Sequence, residues 1–156
     1  MRKIPILLMA LGSLWVIAAH AGVIYKSPVT VNNALFSDSD AFQFIADDFS
    51  LKPGFNSITG IRWTGVYTAQ APSAPDNFTI QLFENIAGAP AMTPFISLYI
   101  GDAGRTDTGI DVFSDNLYSY AVALAPIVLA PDTTFWLSIV NSTPGADLFS
   151  NWGLGR

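Results

Sequence analysis

Thr133-Thr134-Phe135-Trp136-Leu137-Ser138-Ile139-Val140 decides the fold class. Phe135, Leu137 and Ile139 alternate with Trp136, Ser138 and Val140, the period of two that puts successive side chains on opposite faces of a strand. Phe135, Leu137 and Ile139 are expected in the core. The opposite face is apolar too, as in a strand with a core on one side and a covering segment on the other. Pro131-Asp132 supplies the turn before it.

The same period recurs outward from this segment. In Ile58 to Thr68, Ile61, Trp63, Gly65 and Tyr67 oppose Arg62, Thr64 and Val66, with Gly60 and Gly65 expected at bulges or close backbone approaches. Asn77 to Phe83 puts Phe78, Ile80 and Leu82 against Thr79, Gln81 and Phe83, and Leu117 to Leu124 alternates Tyr118, Tyr120, Val122 and Leu124 with small residues. Phe42 to Phe49, Phe95 to Ile100, Ile127 to Leu129 and Leu148 to Trp152 read as further strands, with brief candidates at Val23 to Tyr25 and Val29 to Val31. Ala69 to Asp76 and Gly101 to Asp111 read as loops, and Asn85 to Pro90 as a turn. No window carries sustained helical periodicity. Eight or nine strands separated by turns predict an all-β fold, an antiparallel two-sheet β-sandwich of jelly-roll type.

Arg2 and Lys3 precede an uncharged run from Ile4 to Ala19, and Ala19-His20-Ala21 is an A-x-A site. This is the layout of a secretory signal peptide cleaved after Ala21, and the run is shorter than the ~20 residues a spanning helix needs. Residues 1–21 are therefore read as the signal and 22–156 as one sandwich domain. No later segment is expected to span a membrane, because Pro126 and Pro131 interrupt the apolar stretch from Ala121 to Pro131.

Charged residues make up 12% of the 156-residue chain, half the roughly 25% usual for globular proteins. Loss of Arg2 and Lys3 leaves five basic residues against twelve acidic ones, a net charge of −7. Nucleic-acid binding is excluded by that balance and by the lack of a basic cluster. The expected mature chain has no His and no Cys. Disulfides, zinc or copper sites built on imidazole or thiolate, and His-dependent nucleophilic machinery are thereby excluded. The chain is expected not to be an enzyme.

Ala46-Asp47-Asp48-Phe49, Ile58 to Gly65, Asp76-Asn77-Phe78-Thr79-Ile80 and Thr133 to Ile139 occur in an order and spacing that resemble the secreted bacterial β-sandwich domains of PEP-CTERM proteins. Those are sorted by exosortase in Gram-negative bacteria that make extracellular polysaccharide. The resemblance covers about residues 40–152 and carries no established activity. It implies an exported structural or adhesive protein of the cell envelope or biofilm matrix, with extracellular polysaccharide as its expected partner. Members end in Pro-Glu-Pro, an apolar helix and a basic tail, whereas this chain ends Gly153-Leu154-Gly155-Arg156. Two expectations stay open: a relative truncated at its C-terminus, or plain secretion. A closing strand after Trp152 is then expected to be missing, leaving one sheet edge open.

Two alternatives follow from the residues. Trp152, Trp63 and Trp136, with Arg62, are the candidate ligand-binding residues of a carbohydrate-binding module, since sugar C–H faces stack on aromatic rings. Core packing is the default for Trp63 and Trp136, which lie in strong strands. A carboxylate-based glycoside hydrolase would need two facing acids, and Glu84, the only glutamate, could pair only with an aspartate such as Asp48 or Asp111. No cofactor is expected beyond a structural calcium at Asp47 and Asp48, or in the loop with Asp102, Asp107 and Asp111. Asn77-Phe78-Thr79 and Asn141-Ser142-Thr143 match the N-glycosylation pattern, which carries no meaning in a bacterial protein.

Overall fold

The computed structural model describes residues 35–37, 39, 44–67, 71, 73–112, 114–143 and 148–150. The strands expected at Val23 to Tyr25 and Val29 to Val31, the signal segment with Ala19 and Ala21, and Trp152 lie outside these residues. All described elements are strands: β1 (Leu35–Phe36), β2 (Ala46–Ser50), β3 (Ser57–Tyr67), β4 (Phe78–Ile86), β5 (Ala89–Pro90), β6 (Ile96–Gly101), β7 (Thr106–Val112), β8 (Asp115–Val128), β9 (Thr134–Asn141) and β10 (Leu148–Ser150).

They form two antiparallel sheets. The first runs β1-β10-β3-β8-β7, and the second runs β2-β9-β4, with β6 and the short β5 both pairing β4. The pairings are nested: β1 with β10, β2 with β9, β3 with β8 and β4 with β6. One long hairpin, folded over so that its strands alternate between two sheets, produces this nesting, and that is the jelly-roll arrangement. The strand at the C-terminal side is not an edge, because β10 lies between β1 and β3.

The core follows the alternation. Phe78, Ile80 and Leu82 of β4 are fully buried against Ile61 and Trp63 of β3, Tyr120 of β8 and Phe135, Leu137 and Ile139 of β9. At its centre Trp63 stacks on Tyr120 (centroids 5.3 Å, planes 13° apart), and Phe78 meets both rings edge-on at 5.1 and 4.9 Å. Such pairs add about 0.5–1.5 kcal/mol each beyond area burial. Val140 and Ser138, on the opposite face of β9, are buried as well.

Four local expectations change. Ile127 to Leu129 is not a separate strand, because β8 continues through Pro126. The β3–β8 register jumps from Ile58↔Ile127 to Gly60↔Ala123, so Pro126 sits in a bulge where no ladder N–H is required. A Cβ on Gly60 would lie 3.0 Å from the Val122 carbonyl, the close approach that its glycine permits. Gly65, also expected at an irregularity, pairs regularly with Tyr118. The segment read as a loop from Gly101 to Asp111 contains β7, an exposed edge strand whose register breaks between Asp107 and Asp111 and which therefore lacks alternation. The strand expected from Phe42 starts at Ala46, and Phe44 is exposed. Beyond that point the β9 backbone is occupied otherwise: Asn141 N–H donates to Ser37 O and Ser39 N–H to Asn141 O, both at 3.1 Å.

Candidate functional site

The sequence candidates do not converge. Trp63 is 1% exposed and offers no face to a ligand, being locked between the sheets by Tyr120 and Phe78. Arg62 is exposed on the outer face of the first sheet, opposite Ala121. Trp136 lies half-buried on the outer face of the second sheet, between Asp48 of β2 and Phe83 of β4, and its Nε1 donates to Asn85 Oδ1 at 3.0 Å. Trp152 lies outside the described residues.

The acids are separated for the same reason that strands alternate. Asp47 pairs with Leu137 and Asp48 with Trp136, so their carboxylates leave opposite faces of β2 and cannot share one calcium. Glu84 pairs with Phe135 and thus projects to the other face from Asp48, while Asp111 belongs to the first sheet. Asp102 accepts from Gly104 N–H at 2.9 Å, and Asp107 from Gly109 N–H at 2.8 Å and Asn116 Nδ2 at 3.1 Å, so both carboxylates shape turns. Among the described residues no cluster of three or more His, Cys, Asp or Glu could hold a metal ion.

The structure assembles a different polar site at one end of the sandwich. Asp76, just before β4, is buried. It accepts a hydrogen bond from the Tyr67 hydroxyl and faces Arg105 Nε at 2.9 Å. Arg105, from the connection between β6 and β7, also donates to Ala74 O at 2.8 Å and lies over the Tyr67 ring, 5.1 Å from its centroid, and over Tyr118 at 5.9 Å. Asn141, at the end of β9 and fully buried, is the hub. Its Nδ2 donates to Tyr67 Oη at 3.2 Å and Asp76 Oδ1 at 3.4 Å. Its Oδ1 accepts from Asn77 N–H at 3.1 Å, Thr143 N–H at 3.2 Å and Thr143 Oγ1 at 2.7 Å.

Burial, the neighbouring Tyr120 and the hydrogen bond to Asp76 push Tyr67 far above the ordinary tyrosine range. Burial likewise pushes Tyr120 up, although the Tyr67 hydroxyl and the Arg105 cation pull the other way. Both phenols are therefore held neutral. Tyr67 acts as a hydrogen-bonding group in a network that closes over itself, whereas the buried Tyr120 hydroxyl has no hydrogen-bond partner among the described residues.

Sequence reasoning found Tyr67 only as an aromatic, Asp76-Asn77 as a loop end and Asn141 as part of a glycosylation pattern. Arg105 was one basic residue among five. The one available signal was Asn141, a polar residue directly continuing a strong apolar strand. Arg105, which the loop brings over the end of the core, makes the ion pair with Asp76.

No protein-family model, no curated protein and no solved structure matches the chain. Among the described residues, no helix is long and apolar enough to cross a membrane.

Proposed function

We propose that this chain is a non-catalytic, exported β-sandwich that serves as a structural or adhesive module of the bacterial cell envelope or biofilm matrix. The observation that carries the reading is how the buried polar groups are used. Asp76, Tyr67, Asn141, Thr143 and Arg105 bond to one another and to backbone, and tie the loop before β4 and the loop after β6 to the end of β9. A catalytic acid or base has to reach a substrate proton, and this network spends its donors and acceptors on holding loops. Export rests on the basic start, apolar run and A-x-A site. The test is fractionation of the native cells with an antibody to the protein. Recovery in envelope or matrix fractions is expected, and recovery in the cytoplasm overturns the reading.

A second reading, carbohydrate binding, is favoured by one observation. Trp136 and Phe83 are cross-strand neighbours on the outer face of the second sheet, and Asn85 fixes the indole. Asp48 stands on the other side of Trp136. An aromatic platform flanked by a carboxylate and an amide suits a sugar ring, whose C–H face stacks while its hydroxyls bond the polar groups. Titration with fragments of extracellular polysaccharide should give binding that Trp136→Ala weakens at least about tenfold, or ~1.4 kcal/mol. Glycans that bind wild type and variant equally, or not at all, remove this reading and leave the first untouched.

A further inference from the structure

We propose that the free edge of β6 is a self-association site, at which a second copy of this chain adds its own β6 antiparallel and joins two second sheets into one. A sheet edge presents unpaired N–H and C=O groups, and proteins that stay single blunt such edges with charge, proline, bulges or shortness. Three edges here are blunted. β1 has two residues. β2 carries Asp47 and Asp48. β7 carries Asp107 and Asp111, a broken register and Gly109 at φ +70°.

The fourth edge is blunted only at its C-terminal end, where the β4–β6 register shifts between Tyr99 and Gly101 and Gly101 has φ +67°, while Ile96 to Tyr99 pairs regularly. Among the described residues β6 pairs only with β4. Phe95-Ile96-Ser97-Leu98-Tyr99-Ile100-Gly101 holds no charge and no proline, and its β-branched and aromatic residues suit strand pairing. Of the eight large hydrophobic residues exposed among those described, Ile86, Met92, Phe95 and Tyr99 all belong to the stretch 86–99. Ile96, Leu98 and Ile100 point toward the core but stay only half-buried, and among the described residues no strand flanks them on the open side. A partner's matching row would complete that burial.

The charge pattern selects a second copy as the occupant. The chain is acidic, with a net charge of −5, and its β2 and β7 edges would set carboxylate against carboxylate if two copies met there. Of the three edges longer than two residues, β6 alone lets identical chains approach without facing like charges, which are destabilising directly across strands. Antiparallel pairing of a strand with its own copy is isologous and closes after two chains. It uses the same kind of backbone ladder by which extended segments add to exposed sheet edges.

The test is sedimentation equilibrium of the secreted protein over a dilution series. A mass twice that of the chain is expected. Ser97→Lys with Tyr99→Lys changes two exposed side chains on β6 and should weaken the dimer at least about tenfold, with the β-sheet circular dichroism unchanged. Asp111→Asn, on the β7 edge, should leave it intact. Amide hydrogen exchange on the wild type gives a readout independent of any variant: protection within Ser97 to Ile100 should rise with concentration. A monomer throughout the series, an open-ended polymer, a dimer insensitive to the double lysine variant, or concentration-independent exchange at β6 overturns the proposal.

Discussion

Arg105 Nε lies 2.9 Å from Asp76 Oδ2, and the Asp76 side chain has no exposed surface while that of Arg105 keeps 18%. The pair joins the connection after β6 to the segment before β4 across the mouth of the sandwich. Removing one member of a buried pair leaves the other charge uncompensated, at about 3–5 kcal/mol. Arg105→Ala should cost about 3 kcal/mol, the low end, because water already reaches its guanidinium. Asp76→Ala should cost more, since Tyr67 and Asn141 lose their acceptor together. Urea denaturation checks both, and a cost below about 1 kcal/mol for Asp76→Ala would show that the network does not hold the loops.

Alkaline pH should unfold the protein through Tyr67 and Tyr120. Both phenols titrate in the fold well above their ordinary value of 10.0. Below pH 10 both states keep the protons and stability is fully present. Above it the unfolded chain releases protons that the fold retains, so stability falls as pH rises, by about 1.4 kcal/mol per pH unit for each tyrosine. Tyr67→Phe should halve that slope between about pH 10 and 12. Denaturation midpoints across the range measure it, and an unchanged slope would mean that Tyr67 ionises in the fold as it does in the open chain.

The two faces of β9 should differ in what they cost. Leu137 is buried in the main core, whereas Trp136 is half-buried on the outer face. Leu137→Ala should destabilise by about 2–5 kcal/mol, and Trp136→Ala by less despite its larger side chain. With no cysteine in the chain, no disulfide softens the loss. Thermal melts that rank Trp136→Ala as the worse of the two would reverse the assignment of faces.

Gly60→Ala should destabilise by about 1–3 kcal/mol, the cost of overpacking. The new Cβ would stand 3.0 Å from the Val122 carbonyl, a backbone atom held in the β3–β8 ladder. Because the strain is confined to the bulge, the loss should appear in the denaturation midpoint with the slope unchanged. A neutral result would show that the bulge opens freely.

Period-two alternation by itself determined the fold class and most of the core. Ile61, Trp63, Phe78, Ile80, Leu82, Phe135, Leu137 and Ile139 are legible from the spacing of large side chains, since a slip of one residue would expose all of them. Pairing partners were not legible, because the nested ladders join strands far apart in the chain and local pattern does not encode which strand lies beside which. β7 and the continuation of β8 through Pro126 escaped for a related reason: edge strands and bulges are released from the alternation that reveals strands. The polar site belongs wholly to tertiary structure. Tyr67, Asp76, Arg105 and Asn141 come from four separate segments and meet only when the two sheets close over one end of the core. The same closure buries Trp63 and leaves Trp136 on the outer face, a difference that two tryptophans in equally strong strands could not disclose, because it depends on which face of each sheet finds the other.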